Sequence, residues 1–143
     1  MTAPASPTSP TERIFYDGEC GVCHWSVGFV ARHDRSGEAF RFAPLGGEVF
    51  RRTVPPEAGR ELPDSLVVQT ATGALLLRSD GAIHILRRLG LGGRILGLLL
   101  ALVPRPIRDY FYDRFAERRH RLATKPDGAC PLVPPELRQR FDP

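Results

Sequence analysis

The chain has 143 residues, 42% of them hydrophobic and 25% charged, which suits one soluble globular domain with its own core. Twenty basic residues, all arginine except Lys125, give a net charge of +4, read here as a solvated face rather than a nucleic-acid surface. Three cysteines, two of them close together, exclude a disulfide framework and suit a reducing compartment.

Residues 1–12 read as a disordered tail, with Pro4, Pro7 and Pro10 among small polar residues and no apolar run of the kind a secretory signal needs. Residues 13–125 read as the folded domain. Ile14 to Tyr16 is a short buried strand, followed by the turn-like Asp17-Gly18-Glu19. A helix runs from about Cys23 to His33, with Cys23, Val27, Val30 and Ala31 at core spacing and Trp25 and Phe29 as a second apolar strip. Ala39 to Ala43 is the next strand, its Phe40 and Phe42 on one face. The strand–helix–strand unit predicts a parallel crossover.

Pro44 to Leu62 reads as irregular, with one helical turn near Glu48 to Arg51. Strands at Ser65–Gln69 and Ala74–Arg78 around Thr70-Ala71-Thr72-Gly73 predict an antiparallel hairpin. Ser79-Asp80 is an N-cap signal for a helix from Gly81 to Leu89, with Ile83 and Leu86 inward. The order β-α-β then β-β-α defines an α/β, thioredoxin-like β-α-β-β-β-α core, here with extra C-terminal helices.

Gly93 to Val103 is mostly apolar, either buried or a docking surface. Its apolar run, Ile95–Val103, has nine residues, short of the roughly 20 needed to span a bilayer. Pro106 suits the first turn of a last helix, Ile107 to Leu122, with Ile107, Tyr110, Phe111 and Phe115 near one stripe. Residues 126–143 read as a Pro-rich tail that carries Cys130. The expected location is cytoplasmic.

Cys20-Gly21-Val22-Cys23 stands where a redox dithiol has to stand, at the end of a strand and the start of a helix. Two cysteines three apart in a first helical turn can close a small disulfide, and the helix N-terminus stabilises the first sulfur as a thiolate. Cys20 is therefore the expected nucleophile and Cys23 the resolving sulfur of thiol–disulfide exchange, with no bound cofactor required. Asp17 and Glu19 place negative charge beside Cys20, which disfavours its thiolate and shifts the couple toward the reducing end. Asp17 is otherwise a cap or turn residue, or a proton acceptor for Cys23.

Tyr16-Asp17-Gly18-Glu19-Cys20-Gly21-Val22-Cys23 resembles the signature of the DCC family of thiol-disulfide oxidoreductases, named for an Asp-Cys-Cys pattern. Pro63-Asp64-Ser65, Arg78-Ser79-Asp80, Val103-Pro104, Arg108-Asp109, Tyr112, Arg118-Arg119-His120-Arg121 and Cys130-Pro131 also look like that family, with departures at His120 and Gly81. The resemblance implies a thioredoxin-like fold and a redox activity without naming a substrate. In thioredoxin-like proteins a cis-proline precedes the third strand and contacts the dithiol. Pro63 lies two residues early for that place, which Ser65 is positioned to take. The returning fourth strand brings Arg78 to the same side, either to offset Asp17 and Glu19 or as a surface charge.

The expected partners are a disulfide-containing protein or a small-molecule thiol substrate, and an electron donor not named by the sequence. Two rivals use the same residues. Cys20 to His24 is a literal CxxCH haem-attachment motif, though His24 is more simply an exposed first-turn residue. Cys20, Cys23, His24 and Cys130 could offer zinc four ligands, without a second paired motif. A third reading is a non-catalytic module docking a membrane or a partner through Ile95–Val103.

Overall fold

The computed structural model describes residues 11–18, 21–34, 39–60, 62, 66–122 and 139–142. β1 (Glu12–Tyr16) leads into α1 (Gly21–His33) and returns as β2 (Phe40–Pro44). Two short helices follow, α2 (Glu48–Thr53) and α3 (Pro56–Arg60), then β3 (Val67–Gln69) and β4 (Leu75–Leu77). Then come α4 (Arg78–Arg88), α5 (Leu91–Ala101) and α6 (Arg105–Leu122).

The four strands lie in the order β2-β1-β3-β4. β1 pairs in parallel with β2, setting Ile14 opposite Phe42, and antiparallel with β3, setting Ile14 opposite Val68. β1 is therefore central and buried on both faces, which is why its Ile-Phe-Tyr run is continuous rather than alternating. Ile14 and Tyr16 join Phe40, Phe42, Val27 and Ile85 under α1 and α4. Phe15 joins Ala43, Val54 and Val67 on the opposite face, under α2 and α3. The result is a thioredoxin-like α/β fold in which β1 hands over to α1 at one end of the sheet.

Several sequence expectations shift, each for a physical reason. The segment expected to be irregular contains α3 as well as α2, because Val49, Phe50 and Ala58 cover the Phe15 face. α4 begins at Arg78, three residues before the expected start, and its N-cap is Leu77 with no side-chain cap. Ser79 and Asp80 do not cap the helix. They reach α6 instead: Ser79 Oγ donates to Asp109, and Asp80 pairs with Arg105 at 2.8 Å and Arg108 at 3.3 Å. Leu86, expected inward, is half-buried.

Long-range polar ties secure the ends. Glu12, counted with the tail in the sequence, is buried and bonded to His84 at 2.7 Å and Arg88 at 3.0 Å on α4. Residues 139–142, within the segment read as a Pro-rich tail, lie against β2, where Phe141 bridges Phe42 and stacks on its ring at 4.8 Å. Asp142 accepts hydrogen bonds from Nε and Nη2 of Arg41, and this pairing raises the Arg41 pKa above its ordinary value. Arg140 is buried and donates to Phe40 O at 2.8 Å, Ala31 O at 3.2 Å and Asp34 Oδ2 at 2.6 Å, clamping the end of α1 to the start of β2.

The Asp34 side chain is 1% exposed and is met by that guanidinium and by the Ala39 N–H at 3.0 Å. Arg140→Ala should lower stability by about 3 kcal/mol in urea unfolding followed by circular dichroism. Adding Asp34→Asn should recover part of the loss, whereas an unchanged midpoint for the single variant would show the clamp to be idle.

Candidate active site

The site begins where β1 runs out. Tyr16 is still buried, Asp17 is half-buried, and Gly18 lies in the turn. α1 then starts at Gly21, directly after Cys20 in the chain. It has no acidic residue in its first turn and has Arg32 and His33 in its last, so nothing on its own first turn cancels the positive end of its dipole. Cys23, one turn in, is 7% exposed and packs in the core with Tyr16, Val27 and Ile85.

His24 is buried, not the exposed first-turn residue expected from the sequence. Its Nε2 lies 2.8 Å from Gly18 O. A carbonyl only accepts, so Nε2 carries the hydrogen and donates it. The ring packs edge-on against Tyr16 at 5.4 Å. His24 thus ties the turn after β1 to the first turn of α1, across the segment that holds Cys20. The same bond engages one of the two ring nitrogens available to a metal in the CxxCH or mixed-ligand readings. Nothing in the sequence marked this role, because it depends on a backbone carbonyl.

An apolar cavity of about 270 Å³ opens beside Cys23. Trp25 and Phe29 of α1, Leu86 of α4 and Tyr112 and Phe115 of α6 are among its walls, and among the described residues no charged side chain lines it. Trp25 and Phe29, expected to form an apolar strip, are stacked at 5.7 Å and largely exposed at the rim. Tyr112 entered the sequence reading only through the family resemblance, and its place beside Cys23 follows from α6 packing on α1 and α4.

Of the residues singled out from the sequence, Cys23 and Asp17 stand at this end of β1 and α1. Arg78 begins α4 with a left-handed φ of 54° and faces Asp113 of α6 at 3.4 Å, an ion pair that the offsetting role proposed for it did not include. Cys20, Glu19, Pro63, Asp64, Ser65 and Cys130 lie outside the described residues. The register sets Val67 opposite Phe15, so β3 runs antiparallel to β1, as the sequence predicts, and starts beside the end of β1. Among the described residues no helix is long and apolar enough to cross a membrane.

A thioredoxin-like α/β sheet with Cys23 buried in the first turn of the helix after β1 gives the fold class. Residues 14–125 match the family model DCC1-like thiol-disulfide oxidoreductase, and the chain belongs to that family. It is similar to the uncharacterized protein YuxK of Bacillus subtilis, 30% identical over 138 residues that cover 94% of this chain and 96% of the relative. It is also similar to the chloroplastic DCC family protein At1g52590 of Arabidopsis thaliana, 28% identical over 120 residues, covering 83% of this chain and 68% of that one. No solved structure matches the chain.

Replacing His24 with alanine removes a part-buried hydrogen bond and should cost about 1 kcal/mol. Amide hydrogen exchange at Gly18 and in the first turn of α1 should accelerate together. Unchanged exchange at both places would show that the bond does not hold the turn.

Proposed function

We propose that this protein is a dithiol oxidoreductase in which Cys20 attacks and Cys23 resolves, working as a reductant of disulfides in the cytoplasm. The observation that carries the reading is the start of α1 directly after Cys20, with Cys23 buried one turn in. That arrangement offers the first position the positive end of the helix and keeps the second sulfur away from solvent. Family membership supports a redox role.

In the forward cycle the Cys20 thiolate attacks one sulfur of the substrate disulfide. The substrate S–S bond breaks, a mixed disulfide forms, and the departing thiolate takes a proton. Cys23 loses its proton and attacks the Cys20 sulfur, closing the Cys20–Cys23 disulfide and releasing the second substrate thiol. Two electrons have then passed to the substrate, and an external dithiol donor restores the pair. Asp17, at the turn, is the nearest carboxylate in sequence to the pair apart from Glu19, and both oppose thiolate formation. Pro63 and Ser65, entering β3 from the same end, are proposed to border the substrate. Arg78 is proposed to act through Asp113 as part of the α4–α6 junction. The uncharged cavity beside Cys23 favours substrates with an apolar group next to the disulfide, so such disulfides should outrun the charged glutathione disulfide.

Cys20→Ser should abolish disulfide reduction, while Cys23→Ser should accumulate a mixed disulfide visible by mass spectrometry. The wild-type couple, titrated in dithiothreitol or glutathione buffers with thiol alkylation, should be a reversible two-electron step near about −270 mV. A midpoint near about −120 mV would overturn the reductant direction, and a pair that never closes would overturn the dithiol itself.

A further inference from the structure

α5 turns the usual amphipathic arrangement inside out. Its inner face is made of glycine: a Cβ at Gly93 would stand 2.3 Å from Leu86 O, and one at Gly97 would stand 2.9 Å from the Arg87 side chain. The helix therefore packs on α4 at close range through residues without side chains. Its large apolar residues point away. Leu91, Ile95, Leu98 and Leu102 recur at i, i+4, i+7 and i+11, the spacing of a single helical face, and are 73%, 51%, 53% and 81% exposed. An outward stripe of this kind adds nothing to the core and costs solubility, so it calls for an occupant.

Charge identifies the occupant. From Gly81 to Arg108 the chain holds five arginines and no carboxylate. Arg88 is tied to Glu12, and Arg105 and Arg108 to Asp80. Arg87 and Arg94 are exposed, and neither has a carboxylate partner among the described residues. The carboxylates of α6 that follow are engaged: Asp109 with Ser79 and Arg105, Asp113 with Arg78, and Glu117 with Arg114. A two-fold pairing of this face with a second copy would bring the same cations to both sides. An anionic surface complements both the stripe and its arginines.

We propose that the outward face of α5 docks the protein peripherally on an anionic lipid bilayer. Leu91, Ile95, Leu98 and Leu102 enter the acyl boundary, and Arg94, which flanks them on α5, meets the headgroups. Eleven helical residues span about 16 Å, half of a bilayer core, so α5 lies in the plane of the interface. The inference stands apart from the dithiol reading and uses none of its residues.

The test is co-sedimentation of the full chain with vesicles of phosphatidylcholine alone and of equimolar phosphatidylcholine and phosphatidylglycerol. Binding should require phosphatidylglycerol and weaken as salt is raised. Arg94→Ala should weaken it about five-fold, and Leu98→Asp should remove it while leaving the circular dichroism spectrum and the thiol redox midpoint unchanged. Absent binding, or equal binding to both vesicles, overturns the proposal. So does a concentration-dependent dimer in sedimentation equilibrium that Leu98→Asp dissolves, since the face would then join two copies.

Discussion

The pairing of β1 on both edges is the constraint from which the rest of the molecule follows. A strand with β2 on one side and β3 on the other, and helices over both faces, has no exposed flank. Its three apolar residues are consumed by two separate clusters, Ile14 and Tyr16 in one and Phe15 in the other. The chain can leave only at the end, through Asp17 and Gly18, and must turn directly into α1 to return for β2. The parallel register with β2 dictates that crossover, since a parallel partner cannot be reached by a tight hairpin. The location of the cysteine motif is thus a consequence of how β1 is buried.

The apolar sandwich is joined by polar ties that cross long stretches of chain. Arg140 reads three groups at once, the last turn of α1, Asp34 and the first residue of β2, so it closes the crossover from outside. Glu12 does the same at the entry to β1 by engaging His84 and Arg88 of α4. At the other end of α4, Ser79 and Asp80 engage α6. Such partly buried charges are retained only where each is met by an opposite charge or a hydrogen bond. In consequence α4 becomes the hub that positions α5 and α6, and through them the wall of the cavity beside Cys23.

Two chemistries then sit on the same framework. One is the helix start at α1, where the His24 bond to Gly18 holds the turn and the cavity offers an uncharged surface next to a buried sulfur. The other is the α5 face, built from leucines that the fold does not use. Glycines at the α4 contact free the long side chains for the outside, so packing and exposure are satisfied by different residues of one short helix.

Much of this was legible along the chain. The alternation of elements, the antiparallel hairpin and the strand–turn–helix setting of Cys20 and Cys23 rest on local signals: apolar periodicity, turn residues and a motif of fixed spacing. Boundaries moved where distant partners outbid local ones, as when Ser79 and Asp80 served α6 instead of capping α4. The burial of His24 needed the Gly18 carbonyl and the Tyr16 ring, neither of which a residue type announces. The four-residue contact of 139–142 with β2 depends on residues a hundred positions apart. For α5 the sequence by itself determined that a mostly apolar helical segment would form, because composition is a local property. Only the tertiary structure decided that the stripe faces outward, because which side of a helix is buried is set by what lies next to it, here the backbone of α4 against Gly93 and Gly97.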